Sequence, residues 1–505
     1  VIGAGAAGIR AALAASEAGA DVLMMTKGTL GHSGSTFSSI SRGWGIQALV
    51  GDERKDETLD IFYNDIMEVG LGKCNPKLVR ILVEESGSRL QDLLSYGIRF
   101  KKDSQGNDIR VKGCFSDYER AFITEDVDNV RRSFTSILRR SSVKIITANV
   151  IDLIVVGNTC WGAWAVDRTG NIIKINAKST ILATGGFAGI FPDNLVGDDQ
   201  TGDGYALAHR AGAELGNMEF IQFMLGIKSG STCRFLGISE LSRQGVLKDS
   251  NNNDLLEKYI PEPALRFETI RNRQEHFPFS CRDSSCLIDL AVAHELKAGR
   301  KVFWKGNDSS DKDAEVAHFA HASNGGITID VEGRSTLDGL FATGEIAAGP
   351  HGADRIGGCM MTATQVFGMR AGRSAALRSH RLRIIPEAKK IPDCLQKLNP
   401  SASGKEAVKI LTTDAKKSIN EHLMVMRDKK GLSACIDTIK SFQQEFDLID
   451  QMDTEDLEAY LELRSILLAG KMIAEYALKN PNCQGSHFRS DPKGHICVTS
   501  LKDII

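Results

Sequence analysis

At 505 residues, the chain exceeds what one hydrophobic core usually holds, so two or three domains are expected. A composition of 42% hydrophobic and 25% charged residues is that of a globular protein. A net charge of −2 gives no bulk-charge support for nucleic-acid binding. No apolar run reaches the length of a membrane span, so no direct membrane insertion is expected, and no signal peptide is visible. The 11 cysteines are scattered, with no CxxC pair, ferredoxin-like run or haem-attachment motif. No metal site is predicted, and a reducing, cytoplasmic compartment is expected. Val1 falls inside an expected strand, so residues ahead of it, and with them any N-terminal address, are expected to be missing.

The first segment, VIGAGAAGIRAALAASEAGADVLMMTK, reads as a short strand, a Gly3-x-Gly5-x-x-Gly8 turn, an alanine-rich helix and a second strand. Inside a βαβ unit such glycines permit a tight turn, close approach of a pyrophosphate and close helix–strand packing. The phosphates sit at the helix N-terminus, so Gly3, Gly5, Ala6 and Gly8 are expected to hold a dinucleotide. Thr26 and Lys27 stand where an acidic residue often holds a ribose, which argues against a plain NAD site. The serine- and glycine-rich stretch 31–51, with Ser35 and Thr36, either wraps the cofactor or is an ordinary surface loop.

Helical spacing runs from 56 to about 99. Strands are expected at 143–146, 149–156 and 172–175. STILATGG (179–186) reads as a buried strand ending in a glycine turn with Thr184 and Gly185. TGDGYALAHRAGAEL (201–215) leads through Asp203 into an amphipathic helix. The pattern divides into a nucleotide-binding domain over 1–217 and 330–385, an inserted capping domain over 218–329 and a helical domain over 395–505. Residues beyond 479 read as irregular.

GLFATGEIAAGPHGADRIGG (339–358) is the stretch the chain is organised around. It carries Glu345 just past a strand, where a carboxylate could meet a ribose-like or ribityl hydroxyl. His351 and Arg355 follow on a glycine-rich loop, and a guanidinium fork suits two-point contact with a carboxylate. The alternative is a tight loop with a surface arginine.

Several motifs then agree. VIGAGAAG, SGST, LATGG, TGDGYALAHRAGAEL, MEFIQF, GLFATGEIAAGPHGADRIGG with VFGMRAG, and GSHFRSD span nearly the whole chain. In that order they resemble the flavoprotein family of succinate dehydrogenase, fumarate reductase and L-aspartate oxidase. The resemblance implies an α/β fold: a Rossmann-like FAD-binding domain, an inserted α+β capping domain and a helical C-terminal domain. It implies FAD at Gly3, Gly5 and Gly8, with Glu345 near the ribityl or ribose region. It also implies a substrate site between the first two domains. His321, in HASNGG, matches the histidine of the family's H-x-x-x-GG motif, and Arg355 the arginine of HGANRLGG; together they resemble the clamp on one substrate carboxylate. Arg282, in CRDSSC, matches the proton-donating arginine of the GRD motif. Glu240 and Arg243, in SELSR, match the TExxR pair that resupplies the proton. Read alone, SELSR is better taken as a surface salt pair, and Arg282 is equally a partner of Asp283.

An arginine, with a pKa above about 12, is a poor acid in water. It can donate only against a strongly basic carbanion and with rapid resupply, which a carboxylate–arginine pair three residues apart can provide. The departures carry as much information. Where the family has QFHPT, this chain has Gln222-Phe223-Met224-Leu225-Gly226, so Met224 stands where a histidine would grip a second carboxylate. Ser239 replaces the threonine of TExxR, and RGEGG is shortened to Arg243-Gln244-Gly245. The expected substrate is a small carboxylic acid, and the loss at Met224 points to an enoate with an apolar far end. Ser35 takes the place of the histidine that bonds flavin in membrane-bound members, with His32 three residues upstream, so noncovalent FAD is implied. With no iron–sulfur or haem motif in the chain, a separate electron-transfer partner is implied: an iron–sulfur protein, a cytochrome or a flavin reductase. The rival readings are an amino-acid oxidase like L-aspartate oxidase and a non-catalytic flavoprotein subunit of a larger electron-transfer complex.

Overall fold

Ile2 opens the nucleotide-binding sheet, bridging in parallel to Met25 on one side and Leu182 on the other. The computed structural model describes the chain apart from residues 39–42, 51–57, 198, 230–231, 237–244, 307–313, 384–385, 387–391, 393–403, 450–455 and 492–505. After the glycine turn comes α1 (Ala6–Glu17), whose alanines favour helix and leave its inner face nearly free of bulk. β1 (Leu23–Thr26) follows. The helical spacing over 56–99 becomes α2 (Leu59–Val69), capped by Thr58, and α3 (Pro76–Ser95), capped by Asn75 with proline in its first turn.

The two strands expected over 143–156 form one, β2 (Lys144–Val156). It runs parallel to β1 through Thr147, then antiparallel to β3 (Thr159–Asp167), with register shifts at Val150/Asp152 and Leu153/Val155. Such bulges bend a strand without ending it; the expected break at 147–148 falls instead where the strand exchanges its parallel partner for its antiparallel one. β4 (Ile172–Asn176) closes that edge. β5 (Thr180–Leu182) lies on the far side of Ile2, and α4 (Asp203–Arg210) follows a glycine turn.

The chain then builds a second, five-stranded antiparallel sheet. Its strands are β6 (Ile221–Ser229), β7 (Thr232–Phe235), β8 (Gly245–Lys248), β9 (Val302–Gly306) and β10 (Ala314–Ser323), in the order β7-β6-β10-β9-β8. α5 (Cys286–Lys297) is tied to it through Asp289, whose carboxylate lies 3.2 Å from His318 Nε2 on β10. The return to the first sheet is β11 (Leu340–Ala342), parallel to β5.

α6 (Cys359–Arg381) then lies directly on α1. At Gly372 any side chain would strike the carbonyl of Ala11, and a Cβ at Gly368 would stand 3.0 Å from the Ala7 carbonyl oxygen. The helices meet backbone to backbone. The C-terminal part is α7 (Lys405–Leu423), α8 (Lys429–Asp447) and α9 (Leu457–Lys479). Residues 484–491, expected to be irregular, include Phe488–Arg489, which pairs in parallel with Met426–Arg427. A single hydrophobic cluster runs from Ile2 and Met25 through Phe223 and Leu290 to Leu463 and Ile473, so the helices share one interior with the sheets. No helix among the described residues is long and apolar enough to cross a membrane.

Candidate active site

A cavity of about 610 Å³ has walls drawn from the glycine turn, the ends of β1 and β5, the 339–358 stretch and strands β6 and β10. At one end Gly3 has φ 106°, and a Cβ there would collide with the Ala183 carbonyl. Gly3 thus makes the turn. Gly8 is not on the wall; its missing side chain lets the helix sit against the Gly3 carbonyl. Gly5 is on the wall and caps α1 with no side-chain cap and no acidic residue in the first turn. That leaves the positive end of the helix open to an anion such as a pyrophosphate.

Around it, Thr36 Oγ1 accepts the Ala6 N–H at 3.0 Å, and Ser35 Oγ accepts from Gln200 Nε2. The Thr184 and Thr343 hydroxyls line the cavity, buried and with no protein partner. Orphaned hydroxyls beside an open helix N-terminus fit a ligand rich in phosphate and hydroxyl groups. Thr26, Lys27, Gly185, Asp203 and Glu345 also line the wall. Lys27 is already engaged, its ammonium 3.0 Å from Asp203 and 2.8 Å from Glu462 of α9. Burial works against that charge, but Asp203 and Glu462 outweigh it and hold the proton above the usual lysine range. Glu345 Oε1 accepts the Ser323 N–H at 3.0 Å, and burial pushes its carboxyl up to about 7.

Elsewhere on the wall stand Arg355, His321, Gln222 and Met224. Arg355 is 8% exposed, and its Nη2 donates to Gln222 Oε1 at 2.5 Å. Its Nε and the Gln222 Nε2 have no protein acceptor. Burial, helped by the Arg355 charge, lowers His321 to about 3, so its imidazole is neutral. Met224 packs with Leu195, Ala317 and Phe319, and Leu195, Phe277 and Pro278 extend this apolar wall. The site therefore has a cationic corner beside an apolar one.

Other sequence expectations fall outside the cavity. His351 is buried but does not line it. Arg282, expected as proton donor, is also off the wall: its Nε lies 3.8 Å from Asp354 Oδ2, and its guanidinium covers the Phe115 ring at 5.1 Å. Asp283, its alternative partner, lies 3.8 Å from His276 instead. Ser239, Glu240 and Arg243 lie outside the described residues. Sequence reasoning missed Gln222 and Asp354. Gln222 is a fully buried polar residue inside the apolar run IQFML, and Asp354 stands where HGANRLGG has asparagine; both were visible as anomalies.

The FAD binding domain family model matches residues 1–247 and 288–361, and the fumarate reductase flavoprotein C-terminal model matches 413–495. One of the subunits of the CoM/CoB fumarate reductase from Methanothermobacter marburgensis is 30% identical, covering 97% of this chain and 93% of the relative. An L-aspartate oxidase from Yersinia pestis is 25% identical over 97% of this chain and 95% of its own length. Among solved structures, a quinol-fumarate reductase with menaquinol molecules superposes with a TM-score of 0.80 at 21% identity, covering 98% of this chain and 92% of that one. With the glycine cradle and its orphaned hydroxyls fitting a dinucleotide, the chain belongs to the FAD-dependent oxidoreductases of the succinate dehydrogenase, fumarate reductase and L-aspartate oxidase family, and its cofactor is FAD.

Proposed function

We propose that the chain reduces a carbon–carbon double bond next to a carboxylate, in a monocarboxylic enoate with an apolar far end. The observation that carries this reading is the charge balance of the wall. Among the described lining residues the permanent cations are Lys27 and Arg355, and Lys27 is held by two carboxylates. One guanidinium suits one carboxylate; a second carboxylate buried against Met224 and Leu195 would cost several kcal/mol.

FAD, when bound, supplies the hydride; the glycine turn, Thr36 and Thr184 would hold it, noncovalently because Ser35 replaces the bonding histidine. The chain does the rest. With one arm pinned on Gln222, Arg355 presents its remaining N–H groups to the substrate carboxylate, and neutral His321 donates beside it. Negative charge that builds on that carboxylate during reduction meets a fixed cation in a poorly solvated site, where electrostatic stabilisation is strong. Met224, Leu195 and Phe277 cover the apolar tail. The proton for the α-carbon is assigned to a guanidinium nitrogen of Arg282, which must leave Asp354 to deliver it; Glu240 and Arg243 are assigned to its resupply. Electrons enter from a separate protein, in keeping with a relative that is itself one subunit of an enzyme. A cytoplasmic setting fits buried cysteines such as Cys74, Cys160, Cys359 and Cys435, which are not joined in disulfides.

The test is anaerobic. Dithionite-reduced flavoprotein is mixed with crotonate, cinnamate or fumarate while flavin absorbance is followed. Crotonate or cinnamate should reoxidise it faster. Fumarate at least about tenfold faster, some 1.4 kcal/mol in the barrier, overturns the monocarboxylate reading. A second reading, a subunit that only relays electrons, is favoured by Arg282 standing off the cavity; it predicts reoxidation by no enoate at all.

A further inference from the structure

The Asp354 carboxylate is 1% exposed and immediately precedes Arg355. Its Oδ2 accepts the Ser280 hydroxyl at 2.6 Å and lies 3.8 Å from Arg282 Nε. Ser280 Oγ in turn accepts the Arg282 backbone N–H at 3.2 Å. Oδ1 is buried and meets no donor. Beside the Ser280 hydroxyl, the cation this poorly solvated carboxylate pairs with is Arg282.

We propose that Asp354 is the positioning residue for Arg282, holding the guanidinium against the loop that carries Arg355 and away from the cavity while the carboxylate is charged. The proposal rests on the reading of Arg282 as proton donor. Besides Arg282 and Ser280, the groups facing this carboxylate are His276 and Asp283 from the same segment. Burial pushes Asp354 up to about 6, against the pull of Ser280 and Arg282. Below that pH the carboxyl is neutral, the ion pair is lost and Arg282 is released toward the substrate. Reduction therefore quickens as the pH falls, and an asparagine at 354, which keeps the acceptor for Ser280 but not the charge, removes the step.

The test uses the flavin-loaded full chain, with crotonate reoxidation followed from about pH 8 to about pH 5. Wild type should show a several-fold rise centred near 6, absent in Asp354→Asn. Ser280→Ala removes a hydrogen bond that favours the charged carboxylate, so it should move the step to higher pH. Phenylglyoxal labelling of Arg282, read by peptide mass spectrometry at about pH 8, needs no substrate; Asp354→Asn should raise it several-fold. Superimposable pH profiles overturn the proposal, and so does labelling that Asp354→Asn leaves unchanged. If no enoate reoxidises the wild-type flavin, the reductase reading fails instead, and the labelling still decides the positioning.

Discussion

Replacing Met224 with histidine should turn the apolar corner of the cavity into a second carboxylate site. Met224 is 8% exposed, sits on β6 opposite Phe319 of β10 and is bridged to Pro278, so its backbone is held on both sides. An imidazole of similar size can occupy the place without moving it. A hydrogen bond to a charged carboxylate contributes about 1.5–3 kcal/mol. Losing roughly one methylene of contact with an alkyl tail costs a further 0.8 kcal/mol or so. Together these change the ratio of fumarate to crotonate kcat/KM by about 50-fold or more in favour of fumarate. The assay is stopped-flow reoxidation of the reduced flavin of Met224→His by each acid, with flavin content and melting temperature as folding controls. The packing around Leu195, Ala317 and Phe319 loses an apolar partner, so a stability loss of about 1–2 kcal/mol is expected and does not bear on the ratio. A ratio that shifts less than about threefold in a folded, flavin-loaded variant would refute the assignment of this corner to the substrate's far end.

The glycines of the turn should separate by role. Gly5→Ala meets only Thr36 Oγ1, at 3.3 Å, so it should fold yet bind flavin more weakly, whereas Gly3→Ala and Gly8→Ala collide with backbone and should not yield folded protein; equal flavin titres in all three soluble variants would contradict this. Lys27→Met strands Asp203 and Glu462 without their shared cation and should cost about 2–4 kcal/mol in urea unfolding; adding Glu462→Gln should restore part of it. His321 and His487 are held to about 3 by burial, helped by the nearby Arg355 and Arg427 charges respectively, against a usual value of 6.5. Because the unfolded chain takes up protons that the folded chain refuses, stability is full above about pH 6.5 and falls as pH drops, by up to about 2 kcal/mol per histidine at about pH 5. Melting curves should show this, and His487→Asn should flatten the slope even though it loses the Arg427 contact at Nδ1. Acid precipitation should leave the flavin in the supernatant; flavin that stays with the pellet contradicts noncovalent binding.

Features set by local backbone chemistry were legible in the sequence. The Gly3–Gly8 turn, the alanine helix behind it and the glycine turn after β5 need only neighbouring residues to specify them, and each lies where its motif predicts. Arg355, His321 and Glu345 were found through motif and charge, and all three line one cavity. What escaped depends on residues far apart in the chain. Gln222 acquires its part only because β6 brings it to Arg355, 133 positions away. Arg282 has a motif that points to the substrate, yet a carboxylate 72 positions on holds it aside. Strand β2 looked like two because the expected break, at 147–148, is where it passes from its parallel neighbour to its antiparallel one, a change of partner that only the distant strands define.

The backbone-to-backbone seat of α1 on α6 also bears on how the protein is made. Roughly 340 residues separate the end of one helix from the start of the other, so at bacterial-type synthesis rates roughly 20–70 s pass before the partner exists. During that interval the alanine face of α1 has nothing to close against, because Gly368 and Gly372, which admit it, are still unmade. The flavin site is thus completed late, by the second visit of the chain to the sheet. An N-terminal piece ending before Gly358 would carry every glycine of the dinucleotide turn and still hold no flavin.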